Sequence, residues 1–254
     1  MLRRILGLPP TRRHHVPPGM RVYAVGDVHG RADLLRPLLG WIGEDHARRG
    51  GDAELHVVFL GDLIDRGPES AAVLEMLAAE RDPVGRRYVL RGNHEEMLLA
   101  VFDGDLAVAG DWLNHGGVET LESYGVDPAL YWRDPSAFLP ALHAAIPARH
   151  VDVLRTMLSQ VRIGDYLFVH AGIRPGVALD AQEGRDLRWI RGDFLNSRAD
   201  HGMVVVHGHT IEPAVVFRPN RIGIDTGAYQ TGRLTALGLE GHARWTLTSR
   251  LDPR

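Results

Sequence analysis

The 254-residue chain contains no cysteine and no lysine. Without cysteine there is no thiol nucleophile, no thiolate metal site and no disulfide. Without lysine there is no Schiff-base chemistry and no Walker-type lysine on a phosphate, and all 29 basic residues are arginine. Arginine therefore does the surface work that lysine shares elsewhere, so only an arginine inside a motif counts as a phosphate-binding candidate. No apolar run approaches the roughly 20 residues that span a bilayer. The apolar piece from Ile5 to Leu8, broken by Gly7 and stopped by Pro9 and Pro10, is too short for a secretory signal. A formal net charge of −3 gives no field aimed at nucleic acid or an anionic membrane. The expectation is a monomeric cytoplasmic protein that binds neither nucleic acid nor membrane.

Residues 1–20, rich in Pro and Arg and carrying His14-His15, read as a flexible basic arm. Residues 21–254 have the length of one large domain. Strand-like runs at 21–25, 54–60 and 87–90 alternate with helical spacing at 31–48, where Leu34, Leu35, Leu38, Leu39 and Ile42 share a face, and at 68–79. This βαβαβ order predicts an α/β fold with parallel pairing. From about 96 to 162 the pattern is helical and interrupted by Gly116-Gly117 and prolines, which predicts an insert of several helices. Strands are expected again at 166–169, 203–206, 221–224, 234–239 and 244–248.

Five polar motifs follow strand ends in order: Gly26-Asp27-Val28-His29-Gly30, Gly61-Asp62-Leu63-Ile64-Asp65-Arg66-Gly67, Arg91-Gly92-Asn93-His94-Glu95, Val169-His170-Ala171-Gly172 and His207-Gly208-His209-Thr210. Ligands of α/β sheets bind beyond the carboxyl ends of strands, so five such loops predict one shared crevice. Asp27, His29 and Asp62 have the donor types to hold one ion. Asp62, Asn93, His170 and His209 can hold a second, with Asp62 bridging. Imidazole mixed with carboxylate and carbonyl suits manganese, iron or zinc better than magnesium. Two ions about 3.5 to 4 Å apart can clamp an in-line displacement and lower the pKa of bound water toward about 7. His94 is the candidate general acid, with Asp65 orienting it. Arg66 and Arg91, inside these motifs, and Arg191, in the run Leu187-Arg188-Trp189-Ile190-Arg191, offer planar forks to phosphoryl oxygens. His207 reads as a strand-end neighbour of the site, Asp225 as a turn cap, and His115 as part of a turn beside Gly116-Gly117.

Together these motifs resemble the PPP family of metallophosphoesterases within the calcineurin-like superfamily, over roughly residues 21–249. The bacterial serine/threonine protein phosphatases and symmetrical diadenosine tetraphosphatases are the nearest branch. The resemblance implies a two-sheet β sandwich flanked by helices, with the helical insert at about 96–162. It also implies a dinuclear centre, most simply Mn2+, with Fe/Zn, Ni or Co as alternatives. By resemblance the metal ligands are Asp27, His29, Asp62, Asn93, His170 and His209, the acid pair is His94 and Asp65, and Arg66, Arg91 and Arg191 bind phosphate.

The first functional expectation is a phosphomonoesterase acting by attack of a metal-bound hydroxide on phosphoserine or phosphothreonine. The alternative is a symmetrical bis(5'-nucleosyl)-tetraphosphatase, for which Trp112, Tyr124, Tyr131 and Trp132 of the insert are candidate base-stacking groups. A third is an inactive binding scaffold, which predicts lost ligand or acid positions. All eight positions here hold competent residue types.

Overall fold

The structure, a computed structural model, describes residues 14–79 and 85–250. The described strands form two five-stranded sheets. The first contains β1 (Met20–Val25), β2 (Glu54–Phe59), β3 (Arg86–Val89), β9 (Arg233–Glu240) and β10 (Ala243–Arg250), in the order β10-β9-β1-β2-β3. The second contains β4 (Gln160–Ile163), β5 (Tyr166–Val169), β6 (Val204–His207), β7 (Val216–Phe217) and β8 (Arg221–Gly223), in the order β4-β5-β6-β8-β7.

Helices α1 (Ala32–Arg49) and α2 (Ser70–Ala78) are the crossovers that make β1, β2 and β3 parallel. The later β9 and β10 add antiparallel beside β1. In the second sheet β5, β6 and β8 are parallel, and β4 and β7 close its edges antiparallel.

Alternation along each central strand decides the layers. In β1, Tyr23 and Val25 join a core with α1, α2 and the insert, while Val22 and Ala24 join a core between the sheets. In β5, Tyr166 and Phe168 face that same inter-sheet core, whereas Leu167 and Val169 pack on Leu187, Ile190 and Phe194 behind it. Strands covered on both faces read as continuous apolar runs, which is why they were visible in the sequence.

The helical segment begins with α3 (Asn93–Phe102) and α4 (Ala109–Trp112), passes a π-helical turn at Leu113–Gly117, and continues with α5 (Val118–Ser123) and α6 (Leu130–Arg133). It ends with α7 (Pro135–Ala145) and α8 (Ala148–Thr156). Gln160–Ile163, read from the sequence as part of the insert, is instead the edge strand β4. Four residues, of which only Ile163 is buried, are too few to show a period of two. The two-residue β7 was hidden for the same reason. Beyond β5 lie α9 (Gly184–Trp189), α10 (Gly192–Leu195) and α11 (Ala228–Thr231). No described helix is long and apolar enough to cross a membrane.

Most of the expected arm, residues 1–13, lies outside the described residues. Its described end is pinned down. The His15 N–H donates to Asp165 at 3.0 Å, the Val16 N–H donates to the Gly241 carbonyl at 2.9 Å, and Val16 is buried in the inter-sheet core.

Candidate metal centre

Backbone strain locates the site before any side chain is considered. Among the described residues, the non-glycine residues with positive φ are His29 (46°), Asp62 (47°), Asp65 (70°), Arg66 (68°) and His209 (63°). Each such residue costs about 1–3 kcal/mol and persists only where its surroundings hold it. All five belong to the loops behind β1, β2 and β6. The surroundings that hold them are tight. A side chain at Gly92 would meet the Asp62 carboxylate, and one at Gly208 would meet that of Asp27.

Asp62 is the hub. Its Oδ2 lies 3.3 Å from His170 Nε2, 3.6 Å from His29 Nε2 and 3.8 Å from His94 Nε2. His170 Nε2 is also 3.1 Å from both Asn93 Oδ1 and His209 Nδ1. The outer nitrogens explain the orientation of these rings. His170 Nδ1–H donates to the Leu60 carbonyl and His29 Nδ1–H to that of Ile64, each at 2.9 Å. Both Nε2 lone pairs therefore point inward, the tautomer that metal-ligating imidazoles use.

Lone pairs of His170, His209, Asn93 and Asp62 thus converge within hydrogen-bond distance with few protons to share between them. Asp27 adds a buried Oδ1 without a partner, and His209 an Nε2 without one. A cation resolves this crowding of acceptors, and the N and O donor set fits a divalent first-row ion. Two groups of potential ligands overlap at Asp62: one also contains His29 and His94, the other His170 and His209.

The electrostatics reflect this crowding. Without an ion, burial works against a charged His170 but the Asp62 carboxylate outweighs it and lifts the imidazole to about 9, a proton that metal binding would displace. His209 and His29 are pushed down, to about 2 and about 3, mainly by burial. Burial, with Asp225 beside it, raises Asp27. Burial opposes the charge of Asp62 too, yet the imidazoles of His170 and His94 hold it well below the carboxylate range.

His94 sits at the second position of α3, fully buried, with Nδ1–H donating to Asp65 Oδ2 at 2.7 Å and no hydrogen-bond partner on Nε2. The pairing expected from sequence is present. Burial opposes its charge, but Asp62 and the hydrogen bond to Asp65 raise its pKa overall. Asp65 is itself held. It accepts from the Trp112 indole N–H at 3.0 Å and the Thr120 hydroxyl at 2.6 Å. Trp112, a candidate base-stacking group in the sequence, is buried and belongs to this support instead. Of the other three aromatics, Tyr124 bonds His150 at 2.7 Å, Tyr131 is partly buried, and Trp132 is exposed.

Arg66 places its NH1 3.1 Å from His29 Nε2, and its guanidinium 4.9 Å from the centroid of the Tyr229 ring. Its backbone N–H donates to Gly116 and its Nε to the His115 carbonyl, so the π-helical turn with His115 backs this arginine. Arg191 is exposed on the loop before α10, and its field reaches His209. Arg91 donates to the Leu154 and Arg155 carbonyls at 3.1 and 3.2 Å, at the end of α8.

Sequence reasoning gave no role to Glu95, which the fold makes a brace. Its carboxylate, fully buried, accepts from the backbone N–H groups of Asp62 (3.0 Å), Leu63 (2.6 Å) and Gly92 (2.8 Å). A glutamate three residues into a helix is also where a capping box places one, which was the available signal. His207 ends β6, buried, with Nδ1 3.0 Å from the Gly208 carbonyl and its pKa lowered to about 4 by burial. Asp225 does cap its turn, accepting from the Gly227 N–H at 2.9 Å, and burial raises it to about 6.

A two-sheet α/β sandwich whose strand-end loops gather imidazoles, carboxylates and an amide around one carboxylate hub is a metallophosphoesterase. The profile of the calcineurin-like phosphoesterases matches residues 20–237, and the chain belongs to that family, whose members use a dinuclear divalent metal centre. It is 30% identical over 197 residues to a symmetrical bis(5'-nucleosyl)-tetraphosphatase of Nitrosomonas europaea, covering 75% of this chain and 60% of that protein. It is 27% identical over 269 residues to the Bordetella pertussis protein of the same name, covering 86% of this chain and 92% of the relative. Among solved structures, one described provisionally as a diadenosine tetraphosphatase superposes with a TM-score of 0.62 at 21% identity, covering 94% of this chain and 99% of that one. At that identity the likeness concerns the fold.

Proposed function

We propose that the protein hydrolyses dinucleoside polyphosphates, with Asp27, His29, Asp62, Asn93, His170 and His209 holding two divalent ions, Mn2+ first among the candidates. The observation that carries this reading is a cavity of about 540 Å³ lined by Arg185, Arg191 and the indole of Trp189, together with Glu183 and with Asp186 and Asp193, which pair with Arg174. A cavity of this size suits the second half of an extended nucleotide, and an aromatic edge beside guanidinium groups suits a base and its phosphates. The names of the relatives support the same substrate class. They favour it over the serine/threonine phosphatase expected first.

Bound ions would polarise the phosphoryl oxygens and acidify water. The chain does the rest. Arg66 and Arg191 orient and neutralise the phosphoryl oxygens. His94 faces the leaving oxygen with Nε2 and, held by Asp65, can give it a proton. Water adds one P–O bond and the bridging P–O bond breaks, releasing two nucleoside diphosphates when the cut is central. Glu96 supports Arg191's loop from α3. It accepts from Arg188 at 2.5 Å and from the Trp189 indole N–H at 2.7 Å. The scaffold reading loses support because all eight positions converge in buried geometry.

Parallel kinetics of the manganese-loaded protein on diadenosine tetraphosphate and a phosphoserine peptide test the proposal. A hundredfold advantage for the nucleotide in kcat/KM, about 2.7 kcal/mol of transition-state preference, is expected. An equal advantage for the peptide would return the protein to the phosphatase reading. No turnover of either, or of nitrophenyl phosphate, by metal-replete protein would leave the scaffold.

A further inference from the structure

The second sheet carries a cluster of positive charge at the end away from the metal centre. The hairpin joining β7 to β8 turns through Arg218-Pro219-Asn220-Arg221, and the Arg218 N–H donates to the Arg221 carbonyl at 2.8 Å. This closure sets two arginines at facing positions, where like charges repel. No described carboxylate forms an ion pair with either of them. Arg221 is only 8% exposed. One of its terminal nitrogens donates to the Leu195 carbonyl at 2.8 Å, while its Nε is buried with no partner. Burial and the field of Arg218 both work against its charge, and Glu212 opposes them from beyond ion-pair distance. A third arginine, Arg198, stands on the wall of the same cavity, which has a volume of about 490 Å³.

The floor is built rather than frayed. Asn220, also 8% exposed, donates its amide to the Ser197 and Ala199 carbonyls at 3.1 and 2.9 Å, which fixes the loop carrying Arg198 against the hairpin. An unsatisfied buried donor costs about 1–3 kcal/mol, more when charged. A buried guanidinium is ordinarily paired. The chemistry that would satisfy Arg221 is an oxyanion, which accepts in-plane N–H bonds from a guanidinium and is attracted by the two others.

We propose that this cavity is a second anion site, which binds a phosphate group, either free or carried by a small metabolite. Arg221 holds the oxyanion, and Arg218 and Arg198 neutralise it. The volume lies in the range of small-molecule pockets and exceeds what a bare phosphate fills. No aromatic side chain lines it, so it offers no shelf for a nucleobase. It is separate from the catalytic centre. Arg221 opens β8 at the amino end, and Asp225 lies past its carboxyl end, roughly 13 Å away at about 3.3 Å per residue. The assignment rests on no choice of substrate for the catalytic centre.

Crystals of the full chain soaked in tungstate, read by anomalous scattering, test it. A peak within hydrogen-bond reach of Arg221 and Arg218, apart from any at the metal centre, is expected. Displacement of that peak by inorganic phosphate or by glucose 6-phosphate tells the free ion from the metabolite. In solution, titration of the metal-loaded protein with inorganic phosphate should show two classes of site. Arg218→Ala, exposed and harmless to folding, should weaken the second class tenfold or more and leave turnover of nitrophenyl phosphate unchanged; Arg221→Gln should abolish it. A tungstate map empty at the arginines, or a second phosphate site unaltered in Arg218→Ala, overturns the assignment.

Discussion

His94 and Glu95 are neighbours at the start of α3, and their different surroundings give them different work. The ring of His94 keeps Nε2 without a hydrogen-bond partner while three groups, Asp65, Trp112 and Thr120, lock its orientation from behind. Proton donation matters in proportion to how poor the leaving group is. His94→Asn is therefore expected to keep both ions but to slow a substrate with a poor leaving group, such as an alkyl phosphate, by about 10² to 10⁴, and nitrophenyl phosphate far less. Equal losses on both substrates would remove the acid role. Glu95 acts on the backbone. Its carboxylate gathers N–H groups from the loop after β2 and the loop after β3, which fixes the strained β2 loop against its neighbour. In Glu95→Gln one acceptor becomes a donor facing other donors. A loss of about 1–3 kcal/mol for each N–H left unpaired is expected in urea unfolding, with lower metal content. Wild-type stability in that variant would mean that the loops hold their shape unaided.

The Asp45 carboxylate ties helix α1 to two strands of its sheet. Asp45 Oδ2 accepts from the Tyr23 hydroxyl of β1 at 2.7 Å, the Trp245 indole of β10 at 2.8 Å and Arg49 at 2.8 Å. Burial favours the neutral acid, but these bonds together outweigh it and hold Asp45 below its ordinary 3.8. A carboxyl group depressed in the folded state adds stability above its unfolded pKa and loses it as the pH falls through the folded one. The contribution of Asp45 should thus be complete above about pH 5 and decline as the pH falls below 3.8 through the lower folded pKa. Asp45→Asn is expected to cost about 1–3 kcal/mol at pH 7 and progressively less as the pH drops below 4. Denaturant melts of both proteins from pH 3 to 7 check it, and a pH-independent gap would assign the loss to packing. The hub also shows why helix–sheet docking is hard to foresee. Asp45 belongs to no motif, and its partners lie 22 and 200 residues away in the sequence.

The proposed ligands come from both halves of the sandwich. Asp27, His29, Asp62 and Asn93 follow strands of the first sheet, and His170 and His209 follow strands of the second. Ions held between them would clamp the sheets together as well as serve the reaction. Bound at a thousandfold over Kd, a ligand stabilises the fold by about 4 kcal/mol. Chelation is therefore expected to lower Tm by roughly 10 °C, with recovery on adding Mn2+, as read by calorimetry. Lost activity with an unchanged Tm would mean that the folded chain holds the ions only weakly.

The sequence by itself determined the strands other than β4 and β7, the parallel first half and the residues that gather around the centre. These depend on local signals: continuous apolar runs for strands buried on both faces, and short polar motifs directly after them. It did not reveal β4, the brace at Glu95 or the use of Trp112, and it left the substrate open between two classes. Those features depend on which distant groups meet. Whether Trp112 stacks a base or steadies Asp65 is settled by the path of the helices between them, 47 residues apart. The pairing of Arg218 with Arg221 likewise becomes an anion site only when the hairpin closes and Leu195 and Asn220 pack around it. Burial turns an ordinary surface charge into a group that needs a partner, and burial is a property of the folded chain.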